Sequence, residues 1–323
     1  MTNETPARDA TLPIDDVAQL ADRLVDSLRS FEGVAVALSG GVDSAVVAQA
    51  AFTALGARAI AVTAHSPSVG RRDREAAAAV AKAIGMQQLI VEPEEFADAA
   101  YVANRGDRCF YCKSHLYDVM AAACRRHGVA MMCNGTNVDD LGDFRPGLRA
   151  ASDFAVRSPL AECGLTKSDV RRLATYWSLP VADRPASPCL ASRLAVGVEA
   201  TPERMRRVEE AEEWLRSRLP LRSDFRVRIE AGELARIEVP IDTIAALTTE
   251  ECRTSLVDAF RKLGFRAITL DLAGFQSGSL NSLVPLEVRR AASARGNAVA
   301  NPQELPDLDS AESVGLRQDD LPA

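Results

Sequence analysis

Short apolar runs alternate with longer amphipathic ones through the first half of the chain. Val34-Ala35-Val36-Ala37-Leu38, Arg58-Ala59-Ile60-Ala61-Val62-Thr63, Gln88-Leu89-Ile90-Val91 and Val129-Ala130-Met131-Met132-Cys133 read as strands. Between them the spacing predicts helices from about residue 14 to 30, from residue 45 onward, over 73–84 and over 114–127. The last two end at Gly85 and Gly128, placed as C-caps. Strands alternating with helices predict a parallel, doubly wound α/β sheet, whose ligands sit at the carboxyl ends of its strands.

The pattern changes after about residue 195. A charged helix is expected over 202–218. Phe225-Arg226-Val227-Arg228-Ile229-Glu230 and Leu234-Ala235-Arg236-Ile237-Glu238-Val239 alternate apolar and charged residues around Ala231-Gly232-Glu233, which predicts a hairpin with one polar face. A helix over 249–263 and a strand over 267–272 complete a smaller α+β domain. The expected organisation is a disordered N-terminus (1–13), a nucleotide-binding domain (14–195), a C-terminal substrate or oligomerisation domain (196–290) and a disordered acidic tail (291–323). No internal repeat is visible.

Composition narrows the function classes. The 323 residues are 47% apolar, enough for a sizeable core, and carry a net charge of −7, which argues against nonspecific nucleic-acid binding. No run approaches a membrane span, and residues 1–12 lack the apolar core of a signal peptide. Seven cysteines, an odd number in an enzyme-sized chain, point to thiols, ligands or catalysts in a reducing cytoplasm rather than to a disulfide framework.

The candidate chemistry begins at Ser39-Gly40-Gly41-Val42-Asp43-Ser44, between the first strand and the following helix. Glycines there let the backbone approach a ligand, and a helix N-terminus favours negative charge. Ser39 and Ser44 add hydroxyl donors, and Asp43 can orient the loop or a metal. A Walker A loop is excluded by the missing Lys. The pattern resembles the PP-loop of ATP pyrophosphatases, which implies cleavage of ATP between the α- and β-phosphates and AMP transfer to an acceptor oxygen. The bland alternative is a glycine turn that only joins strand to helix.

Two cysteine stretches stand out. Pro188-Cys189-Leu190-Ala191-Ser192-Arg193 follows a Pro-rich loop, and Arg184 and Arg193 nearby would favour a thiolate; a buried structural Cys is the competing reading. Cys109-Phe110-Tyr111-Cys112 fits a redox pair, half a zinc site, a metal–sulfur ligand pair or two ordinary thiols. Gly135-Thr136-Asn137-Val138-Asp139-Asp140-Leu141-Gly142-Asp143 suits a loop beside a nucleotide, with Asp140 or Asp143 as Mg²⁺ ligand, or else an acidic turn. Arg226 and Arg228 share a strand face and could grip phosphate or carboxylate, or simply face solvent. No histidine has a clear partner.

Together these stretches resemble the LarE family of ATP-dependent sacrificial sulfur transferases, PP-loop proteins of nickel-pincer nucleotide cofactor synthesis. Further matches are Thr63-Ala64-His65-Ser66-Pro67-Ser68, Arg108 to Lys113, Arg145-Pro146-Gly147, Ser158-Pro159-Leu160, Leu165-Thr166-Lys167 and Asp271 to Ser279. The resemblance covers roughly residues 15–290. It implies an adenine nucleotide alpha hydrolase-like fold and ATP held at Ser39, Gly40, Gly41, Val42, Asp43, Ser44, Ser66, Gly135 and Asn137. It implies Mg²⁺ at Asp140 and a small-molecule substrate, pyridinium-3,5-biscarboxylic acid mononucleotide, at Arg193, Arg226 and Arg228. The substrate carboxylate would be adenylylated and then sulfurated. Cys189 falls on the position of the family's sacrificial cysteine. Some relatives with Cys at the positions of Cys109, Cys112 and Cys189 hold a [4Fe–4S] cluster that delivers sulfide, and the three thiols favour that version here. A homo-oligomer without nucleic-acid or membrane partners is expected. The competing functions are a tRNA thiolase, an amidating ligase, or a nucleotide-binding sensor without catalysis.

Overall fold

A computed structural model describes residues 14–141, 146–219 and 224–276. The first half runs α1 (Ile14–Arg29), β1 (Val34–Ala37), α2 (Val42–Leu55), β2 (Ala59–Ala64), α3 (Arg71–Ile84), β3 (Gln87–Val91), α4 (Ala99–Ala103), α5 (Arg108–His127) and β4 (Met131–Cys133). Short helices α6 (Val138–Leu141), α7 (Pro146–Asp153), α8 (Pro159–Glu162) and α9 (Lys167–Tyr176) follow. Next come α10 (Pro202–Arg218), β5 (Arg226–Glu230), β6 (Leu234–Glu238), α11 (Ile244–Thr248), α12 (Glu250–Lys262) and β7 (Ala267–Leu270).

Among the described residues, the first sheet has the order β3-β2-β1-β4, all parallel. Chain order reverses at β1, because β2 and β3 lie on one side and β4 on the other. The two faces are covered by different layers, as a parallel sheet requires. Val34, Val36, Ala59 and Ala61 join α1, α2, α3 and α9 in one core, whereas Ala35, Ile60 and Val62 face α5 and α7 in another. This period-two division of continuous apolar runs is the doubly wound arrangement that the sequence predicts.

The second sheet pairs β5 and β6 antiparallel and β6 and β7 parallel. Its core packs Met205, Val208 and Leu215 of α10 and Phe260 of α12 onto Val227, Ile229 and Ile237. It also takes in Tyr101, Leu190, Ala191 and Leu194, so the segment around Cys189 packs with the C-terminal elements.

Three local differences from expectation have physical causes. The helix expected over 114–127 begins at Arg108, placing Cys109 and Cys112 in its first turns; Cys, Phe and Tyr are weak helix formers and hide the true start. Helices α7 to α9 were not expected, although α9 opens with a reciprocal Thr166–Asp169 capping box. The hairpin's polar face is not a solvent face. Glu238 is fully buried, and Arg228 donates to it through Nε at 2.6 Å and Nη2 at 2.8 Å. The expectations for 1–13, Asp143, Arg145 and residues 277–323 lie outside the described residues.

Candidate active site

Leu38 ends the buried run of β1, and the chain turns through Ser39–Gly41 into α2. Gly40 has φ +78°, and a Cβ there would lie 2.2 Å from the Asp73 carbonyl oxygen. Only glycine therefore lets this turn pack against the first turn of α3. Ser44 Oγ accepts from the Ser39 amide at 3.2 Å and donates to the Gly41 carbonyl at 3.1 Å, bracing the loop under the N-terminus of α2. Gly135, just after β4, packs against the same helix start. A Cβ at Gly135 would stand 2.6 Å from the Ser44 nitrogen and 2.9 Å from the Asp43 carbonyl carbon. The loop thus lies at the switch point between β1 and β4, where open α/β sheets bind ligands.

Asp43 is held from two sides. Its Oδ1 accepts from Asn137 Nδ2 at 3.0 Å, and Oδ2 pairs with the Lys167 ammonium. Lys167 lies in the Leu165-Thr166-Lys167 stretch but is not among the site residues that the sequence implies. Its signal was its place at the first position of α9, after Thr166. Asp139 accepts from the Lys167 amide at 2.8 Å, and Asp140 Oδ2 accepts from the Asn137 amide at 3.1 Å. These bonds draw the 135–140 loop onto the nucleotide loop. The acids there also cap α6 and α9. Among the described residues, no group of three or more His, Cys, Asp or Glu side chains is placed to hold a metal ion, at Asp140 or elsewhere.

Ser66 is buried, its hydroxyl bonded to Glu95 and, at 2.9 Å, to Ser68. It sits behind the loop that carries Cys189, because Leu190 N donates to the Ser68 carbonyl at 2.9 Å.

Cys109, Cys112 and Cys189 meet at one junction. Cys112 and Cys189 both pack on the second core beside Tyr101. Each thiol bears on its neighbours: burial first, then the Cys189 thiol, push Cys112 up to about 12. Cys109 is exposed at its surface side, with protein packed around the rest of it. This desolvation pushes its thiol up against the pull of Arg108. Arg108 is buried and donates to Asn104 Oδ1 at 2.7 Å. All seven thiols are free.

The two cations expected to activate Cys189 are otherwise engaged. Arg184 donates to the Gly40 carbonyl at 2.7 Å and to Asp73 Oδ1 at 2.8 Å. Arg193 makes a bidentate pair with Glu212 at 2.9 and 3.2 Å. It also donates to the carbonyls of Pro188 and, at 3.2 Å, Cys189. The hairpin arginines do similar work: Arg226 donates to the Ala186 carbonyl at 3.3 Å and Arg228 to the Ser192 carbonyl at 3.2 Å. Three guanidinium groups read from sequence as substrate ligands thus also hold the backbone around Cys189. Arg226 differs from the other two. Its nearest carboxylate, on Asp224, is 3.8 Å away, and burial followed by the Arg193 charge pulls it below its ordinary value. It borders a cleft of about 280 Å³, walled by the start of α3, residues 184–188, Leu190 and α10.

A glycine loop at a sheet switch point, backed by an Asp–Lys–Asn network, defines a PP-loop nucleotide-binding domain. The profile of the asparagine synthase family matches residues 17–239. The pyridinium-3,5-bisthiocarboxylic acid mononucleotide synthase of Lactiplantibacillus plantarum is 33% identical over 260 residues, covering 80% of this chain and 92% of that protein. The uncharacterized protein slr1717 of Synechocystis sp. is 42% identical over 264 residues, or 80% of this chain and 97% of its own. NMN synthetase from Francisella tularensis aligns over 53% of this chain and 76% of its own, with TM-score 0.45 and 20% identity. The chain belongs to the LarE family of PP-loop proteins and is an ATP-utilising enzyme.

Alanine at Gly135 tests the nucleotide loop. Its methyl group would press on backbone that cannot swing aside, and overpacking of this kind costs about 1–3 kcal/mol. Calorimetric titration with a non-hydrolysable ATP analogue is expected to show affinity falling by about tenfold. Unchanged affinity would place the nucleotide elsewhere.

Proposed function

We propose that this enzyme is an AMP-forming sulfur transferase acting on pyridinium-3,5-biscarboxylic acid mononucleotide. The observation that carries the reading is the loop bearing Cys189: its start is tied to Gly40 of the nucleotide loop and its end to Ser68. These ties support a reading in which the Cys189 sulfur acts on an acyl group activated at that loop.

In the first step a substrate carboxylate oxygen attacks the α-phosphorus of ATP, and pyrophosphate leaves. The loop amides and the start of α2 receive the phosphate charge. Lys167 supplies a cation beside Asp43, and Asp43 would be the carboxylate to hold a Mg²⁺ ion, which would help neutralise the phosphate charge. In the second step the Cys189 sulfur loses its proton and attacks the acyl carbon, and AMP departs as a good leaving group. A base then takes the Cys189 Cα proton, and the Cβ–S bond breaks. Dehydroalanine remains on the protein, and the thiocarboxylate leaves. Arg226, with its loose carboxylate pairing at the cleft, is the arginine best suited to a substrate phosphate or carboxylate. Arg193 and Arg228 serve by holding the loop.

The second reading, a [4Fe–4S] cluster on Cys109, Cys112 and Cys189, has the right donor chemistry: three thiols that influence one another. Their placement does not fit a metal ion. The free thiols suit a reducing compartment such as the cytoplasm.

The test is incubation with ATP, Mg²⁺ and the mononucleotide. Pyrophosphate, AMP and thiocarboxylate are the expected products. ADP with phosphate, or nucleotide binding without cleavage, would overturn the reading.

A further inference from the structure

We infer that Arg184 is a positioning residue that couples nucleotide binding at the Gly40 loop to the placement of Cys189. The inference rests on the reading above, in which the Cys189 sulfur attacks what the nucleotide loop activates. Arg184 spans two elements with one planar group: Nη1 donates to the Gly40 carbonyl at 2.7 Å and Nη2 to Asp73 Oδ1 at 2.8 Å. The fork geometry matters, because a lysine ammonium has no second arm to hold both acceptors in one plane.

The segment from Arg184 to Cys189 is short and stiff. Pro185 and Pro188 fix their own φ angles and restrict the residues before them. Its carbonyls are held from outside at Arg184 by Arg171 at 3.4 Å, at Ala186 by Arg226, and at Pro188 and Cys189 by Arg193. Its far end is pinned where Leu190 N donates to Ser68. Slack is therefore small, and a shift of the Gly40 carbonyl reaches Cys189 through Arg184. α9 ties the same two regions by a second route, since it carries both Lys167, on Asp43, and Arg171, on the Arg184 carbonyl. Phosphate binding at a loop built on a positive-φ glycine acts on that carbonyl's own peptide neighbours.

Hydrogen–deuterium exchange of the full chain, with and without α,β-methylene-ATP and Mg²⁺, tests the coupling without depending on sulfur chemistry. In the wild type the analogue is expected to slow exchange in both the 39–44 peptide and the 184–190 peptide, the latter by at least about fivefold, the low end of ordinary site-to-site coupling. In Arg184→Gln the 39–44 peptide should still respond while the response of the 184–190 peptide falls to a minor part of the wild-type effect, the remainder travelling through α9. Arg184→Lys should restore part of the response, and Asp73→Asn should weaken it. In turnover, Arg184→Gln should leave the KM for ATP within about twofold and lower the thiocarboxylate formed per pyrophosphate by about tenfold. A wild-type 184–190 peptide indifferent to the analogue would overturn the inference, as would an Arg184→Gln peptide that responds fully. So would an Arg184→Gln protein that no longer binds the analogue, since Arg184 would then belong to the nucleotide pocket. A wild type that releases pyrophosphate but yields no thiocarboxylate would instead defeat the sulfur-transfer reading, and the exchange arm would still decide the coupling.

Discussion

Alanine at Cys189 is expected to stop thiocarboxylate formation while pyrophosphate release continues. The nucleotide loop, Asp43, Lys167 and Asn137 form a network that does not include Cys189. Removing the thiol therefore leaves the activating half of the site standing. No other thiol at the junction can take over at neutral pH. Burial and the neighbouring thiol push Cys112 up to about 12, and desolvation pushes Cys109 the same way; both stay protonated and weakly nucleophilic. Sulfur transfer should fall by at least about a thousandfold, the scale of losing an essential nucleophile. Pyrophosphate should still appear as the acyl adenylate forms and hydrolyses. Intact-mass measurement of the wild type after one turnover adds the chemical signature: loss of one H₂S as Cys189 becomes dehydroalanine. Transfer that survives Cys189→Ala would remove this residue from the chemistry. Loss of transfer in all three of Cys109→Ala, Cys112→Ala and Cys189→Ala, together with loss of bound iron, would favour the cluster instead.

The parallel sheet was legible because burial on both faces leaves near-continuous apolar runs, such as Val34 to Leu38, separated by helix-length segments. The nucleotide loop was legible because Gly40 and Gly41 sit where the apolar period changes. What the sequence hid was the partnering of charge. Alternation at Arg226, Arg228, Arg236 and Glu238 looks the same for a solvent face and for an interior face closed by ion pairs. Only the folded hairpin shows that Glu238 accepts from Arg228 and Arg236, and not from Arg226, its direct cross-strand partner. Arg184 and Arg193 likewise have carboxylate partners that the sequence did not reveal. Nearness in sequence to Cys189 suggested cations for a thiolate, but their guanidinium groups reach Asp73 and Glu212, which lie far away in the chain. Glu95, fully buried against Ser66 and Ser68, carried no sequence signal at all, since a lone acid in a polar stretch looks like surface.

Glu212 is where stability and function meet. Its carboxylate binds Arg193 through both oxygens and accepts from the Val227 amide at 3.2 Å, joining α10, β5 and the Cys189 segment. The Arg193 side chain is only 4% exposed and that of Glu212 8%. Burial works against the Arg193 charge, and Glu212 outweighs it, so the guanidinium ends above its ordinary value. Removing one partner of such a pair strands the other charge in the interior, at a cost of about 3–5 kcal/mol. For a chain of this size Glu212→Ala should therefore lower the melting temperature by about 4–7 °C. Glu212→Gln keeps the volume and one acceptor, and should cost about 1–3 kcal/mol. The functional effect should exceed what lost fold alone explains, because Arg193 also holds the Pro188 and Cys189 carbonyls. At a temperature where Glu212→Gln remains folded, thiocarboxylate formation should fall while the KM for ATP stays put. Thermal melts and paired pyrophosphate and thiocarboxylate assays read both effects. A Glu212→Ala protein melting with the wild type would mean that water reaches Arg193 and that the pair does not organise the Cys189 loop.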